Sequence, residues 1–347
     1  MRPGGWTSVK SAFLCGVLGC GFLGWGTPAS GQVPKVYTLE GEYGLTHDPS
    51  IAKEGGTYSV FATGKAKEGG QLPVRCSEDL VHWRMCGHVF DEIPKWIVER
   101  SPETKDLWAP DISFEHGVYR LYYSYSLWGK NTSGIGLATN RTLDAKNAAY
   151  RWEDRGVVLE SKAEDDFNAI DPAYVRDVKG GEWLVFGSFW TGIKMRALDG
   201  ATGGVSAKDT KLYSLAMRSR KGKPRDSLGI EAPFVVAHGG FYYLFVSFGQ
   251  CCQGTRSTYE TMVGRSKAVT GPYLDREGKS MMEGGGTAVL VSKKRWVGPG
   301  GASVLRDSDG KYVMVFHAYD STTGKPALQV SNLVWEQGWP LAGLGDE

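Results

Sequence analysis

The chain has 347 residues, of which 41% are hydrophobic, 12% aromatic and 22% charged. Residues 1–31 have the pattern of a secretory signal peptide, because Arg2 and Lys10 precede an apolar run and residues 29–31 are small. Without this segment the chain carries 38 basic and 38 acidic residues, so it lacks the basic excess of a nucleic-acid-binding protein. No later apolar run approaches the roughly 20 residues of a transmembrane helix.

The sequence therefore predicts a secreted protein, extracellular or periplasmic, whose mature part is residues 32–347. An alternative cleavage before Cys20, of the lipoprotein type, would make that cysteine a lipid anchor. Leu18 stands where such sites usually have a smaller residue, which favours the first interpretation.

Four cysteines remain after residue 31, and export permits disulfides. Cys76 and Cys86 flank a short segment that can fold back, so we expect a bridge between them. Adjacent cysteines bridge only with strain, and we expect Cys251 and Cys252 to be two buried thiols. No CxxC or HxxxH spacing occurs, so the sequence does not predict a zinc site.

Short runs rich in Val, Tyr, Phe and Trp, bounded by Gly, Asp or Asn, dominate the chain and are typical of strands. They recur five times within a common pattern of strand, Gly-containing turn and strand. The central runs are residues 57–63, 118–126, 183–190, 241–249 and 312–320. Further strand-like segments follow each pair, so the sequence predicts an all-β protein, a single five-bladed β-propeller over residues 32–347. A two-sheet sandwich with an appended domain is the alternative, but no linker composition marks a boundary.

Carboxylates lead three of the five repeats: Asp48, Asp171 and Glu231. Asp111 comes at nearly the same point of its repeat, and the fifth copy, from Gly300, has no leading acid. If the first run of each repeat is the innermost strand of a blade, the three acids converge at one mouth of the central channel. A single Asp before Pro is also a common turn residue, but three acids in matching repeats favour a shared site.

Convergent carboxylates in an exported protein that is rich in aromatic residues and has no net charge suggest glycoside hydrolysis. That reaction needs one protonated carboxyl to donate to the leaving oxygen and one carboxylate acting at the anomeric carbon. A third carboxylate near the acid raises the pKa of that acid and keeps it protonated.

Several motifs carry a resemblance to glycoside hydrolase family 43, in particular its arabinanase and arabinofuranosidase branch. They span residues 43 to about 340 and comprise HDPSI from His47, LWAPDI from Leu107, NAIDP from Asn168, FGSFW from Phe186, IEAPF from Ile230, RWVGPG from Arg295 and FHAYD from Phe316. The resemblance implies a five-bladed propeller, in agreement with the repeat count. It also implies an inverting glycosidase that acts on α-1,5-linked arabinan or related arabinose-containing polysaccharide.

By this resemblance, Asp48 is the general base that activates water, Glu231 the general acid and Asp171 the carboxylate that tunes the acid. Residues that resemble those lining the cleavage subsite are Asn168, Ser188, Phe189, Trp190 and Trp108. Trp108 is equally compatible with a buried core position.

His317, in FHAYD, resembles the metal-site histidine of the family, which holds a calcium or similar ion in the channel. Taken alone, a histidine in an apolar strand is more often an ordinary core residue. The expected role of the ion is structural and electrostatic. Many family members have a His after the GPG of the fifth repeat, where this chain has Gly301, and this difference leaves the substrate range open.

The alternatives at this point are a β-xylosidase or other family 43 glycosidase and a non-catalytic carbohydrate-binding propeller. Retention of all three acids favours an enzyme, because binding alone needs only stacking and neutral hydrogen bonds. We expect a polysaccharide or oligosaccharide substrate and a monomer. The sequence does not distinguish endo from exo action.

Overall fold

The structure of the protein is a computed structural model, which describes residue 1, residues 32–220 and residues 223–345. The predicted signal peptide and Cys20 therefore lie outside the described residues. All the blades belong to one compact unit of the chain, Gln32–Glu347.

Five antiparallel sheets are arranged as a five-bladed β-propeller, which confirms the predicted fold. The strands of the first two blades are β1 (Glu40–Gly41), β2 (Ser50–Glu54), β3 (Thr57–Phe61), β4 (Gln71–Ser77) and β5 (His82–Phe90), followed by β6 (Trp108–Glu115), β7 (Val118–Tyr125), β8 (Ser133–Asn140) and β9 (Glu153–Ser161). Within each blade the antiparallel strands pair in chain order, so each blade is a meander. The exception is β1, which pairs parallel with β5.

The remaining three blades have four strands each. They are β10 (Ala173–Arg176), β11 (Glu182–Phe186), β12 (Ile193–Ala197) and β13 (Tyr213–Ala216); β16 (Ile230–His238), β17 (Phe241–Phe248), β18 (Glu260–Ser266) and β19 (Thr287–Leu290); and β20 (Trp296–Arg306), β21 (Tyr312–Asp320), β22 (Pro326–Glu336) and β23 (Trp339–Leu341). Two short strands, β14 (Ser219–Arg220) and β15 (Lys223–Ser227), form a separate hairpin.

Helical structure is sparse. The α-helix α1 covers Lys95–Arg100, and two 3₁₀ turns cover Gly254–Arg256 and Met281–Glu283. In the part of the chain that the structure describes, no helix is long and apolar enough to cross a membrane.

The first strand of each repeat is the innermost strand of its blade, as predicted. Strands β2, β6, β10, β16 and β20 contact one another in a closed ring around the channel. Four of the five predicted central runs match the second strand of their blade within two residues. The predicted strand at 183–190 is too long, because β11 ends at Phe186 and residues 187–190 form a loop.

The hydrophobic core consists of five clusters, each lying between two neighbouring blades. Between the fourth and fifth blades, for example, the buried rings of Tyr243, Phe245 and Phe316 lie in one cluster. Alternating strand residues face the two neighbouring blades, which explains why the runs are apolar throughout rather than at every second position.

The ring is closed by the segment that precedes β2. Tyr37 donates its backbone N–H to Val330 on β22, and Leu328 donates to Tyr43. The same segment pairs with β5 of the first blade through β1. This segment therefore joins the first blade to the last.

Cys76 and Cys86 are joined by a disulfide across neighbouring strands β4 and β5, which confirms the predicted bridge. The expectation of two buried thiols at Cys251 and Cys252 is wrong, because these residues are bonded to each other. They lie in the loop between β17 and β18, where Cys251 is half-buried and Cys252 is exposed. The loop runs along the surface at the channel mouth, so no core surrounds them.

Candidate active site

Each blade places one residue of left-handed backbone conformation at the start of its inner strand. These residues are Asp48 (φ 46°), Ala109 (φ 43°), Asp171 (φ 57°), Ala232 (φ 52°) and Gly301 (φ 59°). All but Gly301 precede a proline, a position that normally forces extended backbone. Such backbone strain is tolerated where the surrounding structure determines the conformation, and it is concentrated at functional sites.

This pattern corrects the repeat register inferred from the sequence. Asp48 and Asp171 are equivalent residues of two blades, but Glu231 comes one residue earlier than the equivalent Ala232. Glu231 is paired with Ser247 on β17, and the ladder is irregular directly after it. The bulge turns the Glu231 side chain to the same mouth of the channel from a different backbone position.

Asp48 is held by three neighbours. Its Oδ2 accepts hydrogen bonds from Thr63 Oγ1 at 2.7 Å and from His47 Nδ1 at 2.8 Å, and its backbone N–H donates to His317 Nδ1 at 3.1 Å. Burial alone would raise the pKa of Asp48, but the charge and hydrogen bond of His47 outweigh it, aided by His317 and Thr63. The pKa of Asp48 is therefore well below its ordinary value, and its carboxylate is ionised.

His47 connects Asp48 to a tyrosine and to a second histidine. Its Nε2 lies 2.6 Å from the hydroxyl of Tyr319, and its ring stacks on His317 with centroids 3.8 Å apart. Burial lowers the pKa of His47, but the Asp48 charge and hydrogen bond raise it more, so the net shift is upward. The His47 ring therefore keeps its positive charge beside the carboxylate to higher pH than an isolated imidazole would.

Glu231 is buried and has a hydroxyl on each carboxyl oxygen. Ser188 Oγ lies 2.5 Å from Oε2, and the Tyr259 hydroxyl contacts Oε1. Burial raises the pKa of Glu231; these two hydrogen bonds act against that rise, and the Asp48 charge adds to it. The outcome is a pKa above the ordinary value of a glutamate, the opposite of Asp48.

Asp171 is the third carboxyl of the group, and the charges of the other two act on it. Its Oδ2 accepts the backbone N–H of Ala232 at 3.0 Å, and its own N–H donates to Ser124 Oγ at 3.0 Å. Burial raises the pKa of Asp171 well above its ordinary value, and the charges of Glu231 and Asp48 raise it further. The group of three carboxyls therefore holds a proton to higher pH than isolated carboxyls would.

The three carboxyls line a cavity of about 820 Å³ at the channel mouth. Every residue that the sequence predicted for the cleavage subsite also lines it: Trp108, Asn168, Ser188, Phe189 and Trp190. Trp108 is half-buried on the cavity wall, so it is not merely a core residue. Such a mixture of aromatic faces and a few polar groups is typical of a small-molecule or sugar site.

Asn168 is almost fully buried, and its Oδ1 has no hydrogen-bond partner among the described residues. A buried acceptor without a partner costs free energy, on the order of 1–3 kcal/mol. Because Asn168 lines the cavity, this oxygen is available to a substrate hydroxyl.

Sequence reasoning missed several residues of the site. Tyr259, Trp128 and Thr63 line the cavity, but no spacing or neighbouring motif marked them. Trp128 is 76% exposed in the loop after β7, at the rim of the cavity. His47 had a signal, since it directly precedes Asp48 in the motif HDPS.

His317 does not line the cavity but lies behind Asp48, fully buried on β21. Burial and the neighbouring His47 hold the pKa of His317 well below its ordinary value, so the ring is neutral. Its Nε2 is buried without a hydrogen-bond partner in the described part of the chain. Because Nδ1 accepts the Asp48 N–H, Nε2 carries the ring proton in this arrangement, and an ion at Nε2, with water as its other ligands, would need the other tautomer of the ring.

The conformation at Gly301 explains why this position has no side chain. Its φ of 59° favours glycine, and an ideal Cβ would lie 2.8 Å from Asp48 Oδ1 and 2.9 Å from His317 Nδ1. Asp48 and His317 in this arrangement leave no room for a larger side chain at this position.

Comparison with known proteins matches residues 43–340 to the model of glycosyl hydrolases family 43. The chain belongs to glycosyl hydrolase family 43. This family 43 chain is 42% identical over 299 residues to an extracellular endo-α-(1→5)-L-arabinanase of Bacillus subtilis, covering 85% of the chain and 87% of the relative. It is 43% identical over 303 residues to an extracellular exo-α-(1→5)-L-arabinofuranosidase of Cellvibrio japonicus, covering 85% of each.

Solved structures agree with this family assignment. The Cellvibrio cellulosa α-L-arabinanase in complex with arabinohexaose has a TM-score of 0.81 and 41% identity, covering 87% of this chain and 96% of that one. A family 43 endo-arabinanase of Bacillus licheniformis has a TM-score of 0.79 and 42% identity, covering 88% and 99%. The protein is therefore a glycosidase of this family.

Proposed function

We propose that this family 43 glycosidase hydrolyses α-1,5-linked L-arabinan or a related arabinose-containing polysaccharide with inversion of configuration. The observation that carries the proposal is the opposite pKa shift of two carboxyls on one cavity, downward for Asp48 and upward for Glu231. Two carboxyls with different protonation states are what glycoside hydrolysis requires. The arabinan specificity is supported by the activities named for the two relatives.

In the proposed reaction, ionised Asp48 removes a proton from a water molecule. The water oxygen forms a bond to the anomeric carbon from the face opposite the leaving group. As the bond to the glycosidic oxygen breaks, Glu231 transfers its proton to that oxygen. A single displacement of this kind needs room for the water, so we expect the two carboxyls to be roughly 6.5–9.5 Å apart.

Asp171 acts through Glu231 rather than on the sugar. It accepts the N–H of Ala232, the residue next to Glu231, and so fixes the backbone that carries the acid. Burial and mutual repulsion raise the pKa values in this group of acids, which keeps a proton available for Glu231. Ser188 and Tyr259 hold the Glu231 carboxyl in one orientation.

The aromatic walls are the proposed sugar-binding surfaces. Trp108, Phe189 and Trp190 lie close to the acids on the cavity, and exposed Trp128 extends the surface outwards. Aromatic faces offer large, flat apolar surfaces on which the apolar side of a sugar ring can pack. Asn168 offers its free Oδ1 to a sugar hydroxyl.

We propose that His317 Nε2 holds a calcium or similar ion, with water as its other ligands. When bound, the ion would supply positive charge behind the catalytic carboxylates. Ion binding at Nε2 would place the ring proton on Nδ1, facing Asp48 Oδ1 at 3.7 Å, and would replace the bond that Nδ1 now accepts from the Asp48 N–H. Treatment with a chelator should therefore lower thermal stability in the wild type and leave His317→Ala unchanged.

We also propose that the protein is secreted and acts as a monomer. The relatives named above are extracellular, which supports the sequence prediction of a signal peptide at residues 1–31. N-terminal sequencing of protein collected from the medium or periplasm should begin at residue 32. A mature protein that begins at Cys20 and carries a fatty acid there would contradict this and favour the lipid anchor. Gel filtration of the mature protein tests whether it is a monomer.

The activity test uses debranched linear arabinan, with xylan and β-xylosides as comparison substrates. Release of arabinose or short arabino-oligomers supports the proposal, and proton NMR of the first product should show the inverted anomer. Hydrolysis of xylosides alone would mean that the substrates are xylose-containing glycosides and not arabinan. No hydrolysis of any arabinose- or xylose-containing substrate would overturn the reaction itself. The product lengths over time then separate endo from exo action.

A further inference from the structure

The bonded pair Cys251–Cys252 faces the same cavity as the catalytic carboxyls. Both residues line the cavity wall, and Cys252 is exposed. The backbone N–H of Cys252 donates to the Tyr319 hydroxyl at 2.8 Å, the same hydroxyl that contacts His47. The pair is therefore attached directly to the group of side chains that holds Asp48.

His47 completes a set of three soft donor atoms with the two sulfurs. The two Sγ atoms and a ring nitrogen of His47 all lie within 4.8 Å of one another, and Cys252 Sγ is 3.6 Å from His47 Nε2. Two ligands of a tetrahedral zinc ion, one sulfur and one imidazole nitrogen, are about 3.5 Å apart when ordinary bond lengths are used. The existing spacing thus matches that of a metal-bound pair.

The other nitrogen of His47 is already arranged as in a metal site. Nδ1 lies 2.8 Å from Asp48 Oδ2, so neutral His47 carries its proton there and presents the Nε2 lone pair towards the sulfurs. Histidine ligands of zinc usually donate their second ring N–H to a carboxylate or carbonyl in this way.

We propose that reduction of the Cys251–Cys252 disulfide creates a site for a soft divalent metal, formed by both thiolates and His47 Nε2. A dithiol reductant cleaves the bond: it is oxidised to its own cyclic disulfide, and the protein gains two thiols. A zinc or cadmium ion then binds the two sulfurs and releases two protons, with no change in the oxidation state of the metal. Calcium, a hard ion, does not compete for such ligands.

Metal binding at this site inhibits hydrolysis, a consequence that rests on the proposed function. The ion replaces the Tyr319 hydroxyl at His47 Nε2 and places positive charge one residue from Asp48. The positive charge lowers the basicity of the carboxylate, and the ion also fills part of the cavity. The metal site itself does not depend on the identity of the substrate.

The binding test uses the purified mature protein, treated with dithiothreitol and desalted under nitrogen, then titrated with ZnCl₂ in a calorimeter. A Cys76→Ser/Cys86→Ser variant removes the distant disulfide, so that only the adjacent pair responds to reduction. We expect about one zinc ion per chain and an affinity about 100-fold or more higher than that of the untreated protein. His47→Ala should weaken binding by about 10-fold or more.

Cadmium gives a second, spectroscopic readout of the same site. The reduced Cys76→Ser/Cys86→Ser protein should develop the ultraviolet absorption band of a cadmium–thiolate, and the untreated protein should not. A Cys251→Ser/Cys252→Ser variant should lack both the band and the zinc affinity. Equal zinc binding before and after reduction, or an unchanged affinity in the Cys251→Ser/Cys252→Ser variant, would overturn the site.

Inhibition is measured on linear arabinan with the same reduced Cys76→Ser/Cys86→Ser protein. Zinc should lower the rate by about 10-fold or more, because general acid–base catalysis contributes about 10²–10⁴-fold and the ion weakens the base. A chelator should restore it. Zinc binding without loss of rate would overturn the inhibitory consequence. If neither the reduced nor the untreated protein hydrolyses arabinan, the proposed function fails, while the zinc titration still decides the metal site.

Discussion

At the scale of single residues, the site depends on backbone positions that ordinary residues rarely adopt. Asp48 and Asp171 both have left-handed backbone, and Gly301 is the corresponding residue of the fifth blade. The first two conformations point carboxyls into the channel mouth, and the third keeps the space beside Asp48 free. The motif HDPS revealed the acid from the sequence, but it could not reveal the conformation, because X-Pro normally indicates extended backbone.

Gly301→Ala should reduce activity strongly, because the new Cβ would lie 2.8 Å from Asp48 Oδ1 and displace the base. Gly239→Ala is the matched control, since Gly239 has a similar φ of 55° and nothing within 4 Å of its ideal Cβ. Both variants lose about 1 kcal/mol of stability from the left-handed backbone, but only Gly301→Ala should lose about 100-fold in kcat. Equal activity of the two variants would show that the space beside Asp48 is not needed.

His47→Ala should move the acidic limb of the kcat/KM profile to higher pH. Asp48 must be ionised to act, and the charge and hydrogen bond of His47 lower the pKa of Asp48. Without His47, burial raises that pKa, so activity is lost at a higher pH, by roughly 1–3 units. Tyr319→Phe removes only the hydroxyl that contacts the far nitrogen of His47, so it should move the limb much less. An unchanged acidic limb in His47→Ala would assign that limb to another group.

At the scale of secondary-structure elements, Asp111 links the inner strands of three blades. Its Oδ1 accepts a hydrogen bond from Ser50 Oγ on β2 at 3.2 Å, and its Oδ2 accepts the N–H of Tyr174 on β10 at 2.7 Å. Burial raises the pKa of Asp111 to about 7, although these two hydrogen bonds act to lower it. The sequence suggested this acid only as a shifted copy of the catalytic ones, and its position two residues after Ala109 directs it beneath the site.

The stability of the protein should respond to pH through Asp111. Its folded-state pKa is above its unfolded value, so it stabilises the fold fully below about pH 4 and loses that contribution as pH rises towards 7. Asp111→Asn should remove this dependence. The unfolding free energy of the variant, relative to that of the wild type, should therefore be higher at pH 8 than at pH 5. Urea denaturation at both pH values measures it. A difference that does not change with pH would contradict the raised pKa.

The loop after β7 extends the cavity beyond the acids through Trp128. Trp128→Ala should raise the KM for linear arabinan by about 10-fold, the loss of one stacked aromatic contact, and leave a single-sugar aryl substrate nearly unaffected. Phe114→Ala is the control, because Phe114 is also exposed, at 56%, but does not line the cavity. Equal effects on polymer and aryl substrate would place Trp128 in the cleavage subsite instead of beyond it.

At the scale of the whole molecule, the repeat pattern of the sequence was sufficient to predict the blade number and the inner strands. Two features escaped it for physical reasons. Glu231 reaches the channel mouth through an irregular ladder, so its position in the repeat differs by one from that of Asp48 and Asp171. Tyr259 and the Cys251–Cys252 pair reach the site from a loop outside the repeat. Contacts made by loops depend on tertiary packing, which strand periodicity does not record.

The central claim is that Glu231 donates the proton and Asp48 activates the water. The measurement that tests it most directly compares kcat/KM of Glu231→Ala on linear arabinan and on a dinitrophenyl arabinofuranoside, whose leaving group needs no proton. The account predicts a loss of about 10²–10⁴-fold on arabinan and a much smaller loss on the activated substrate. Asp48→Asn, which removes the base, should lose activity on both. Equal losses of Glu231→Ala on the two substrates would contradict the assignment of Glu231 as the acid.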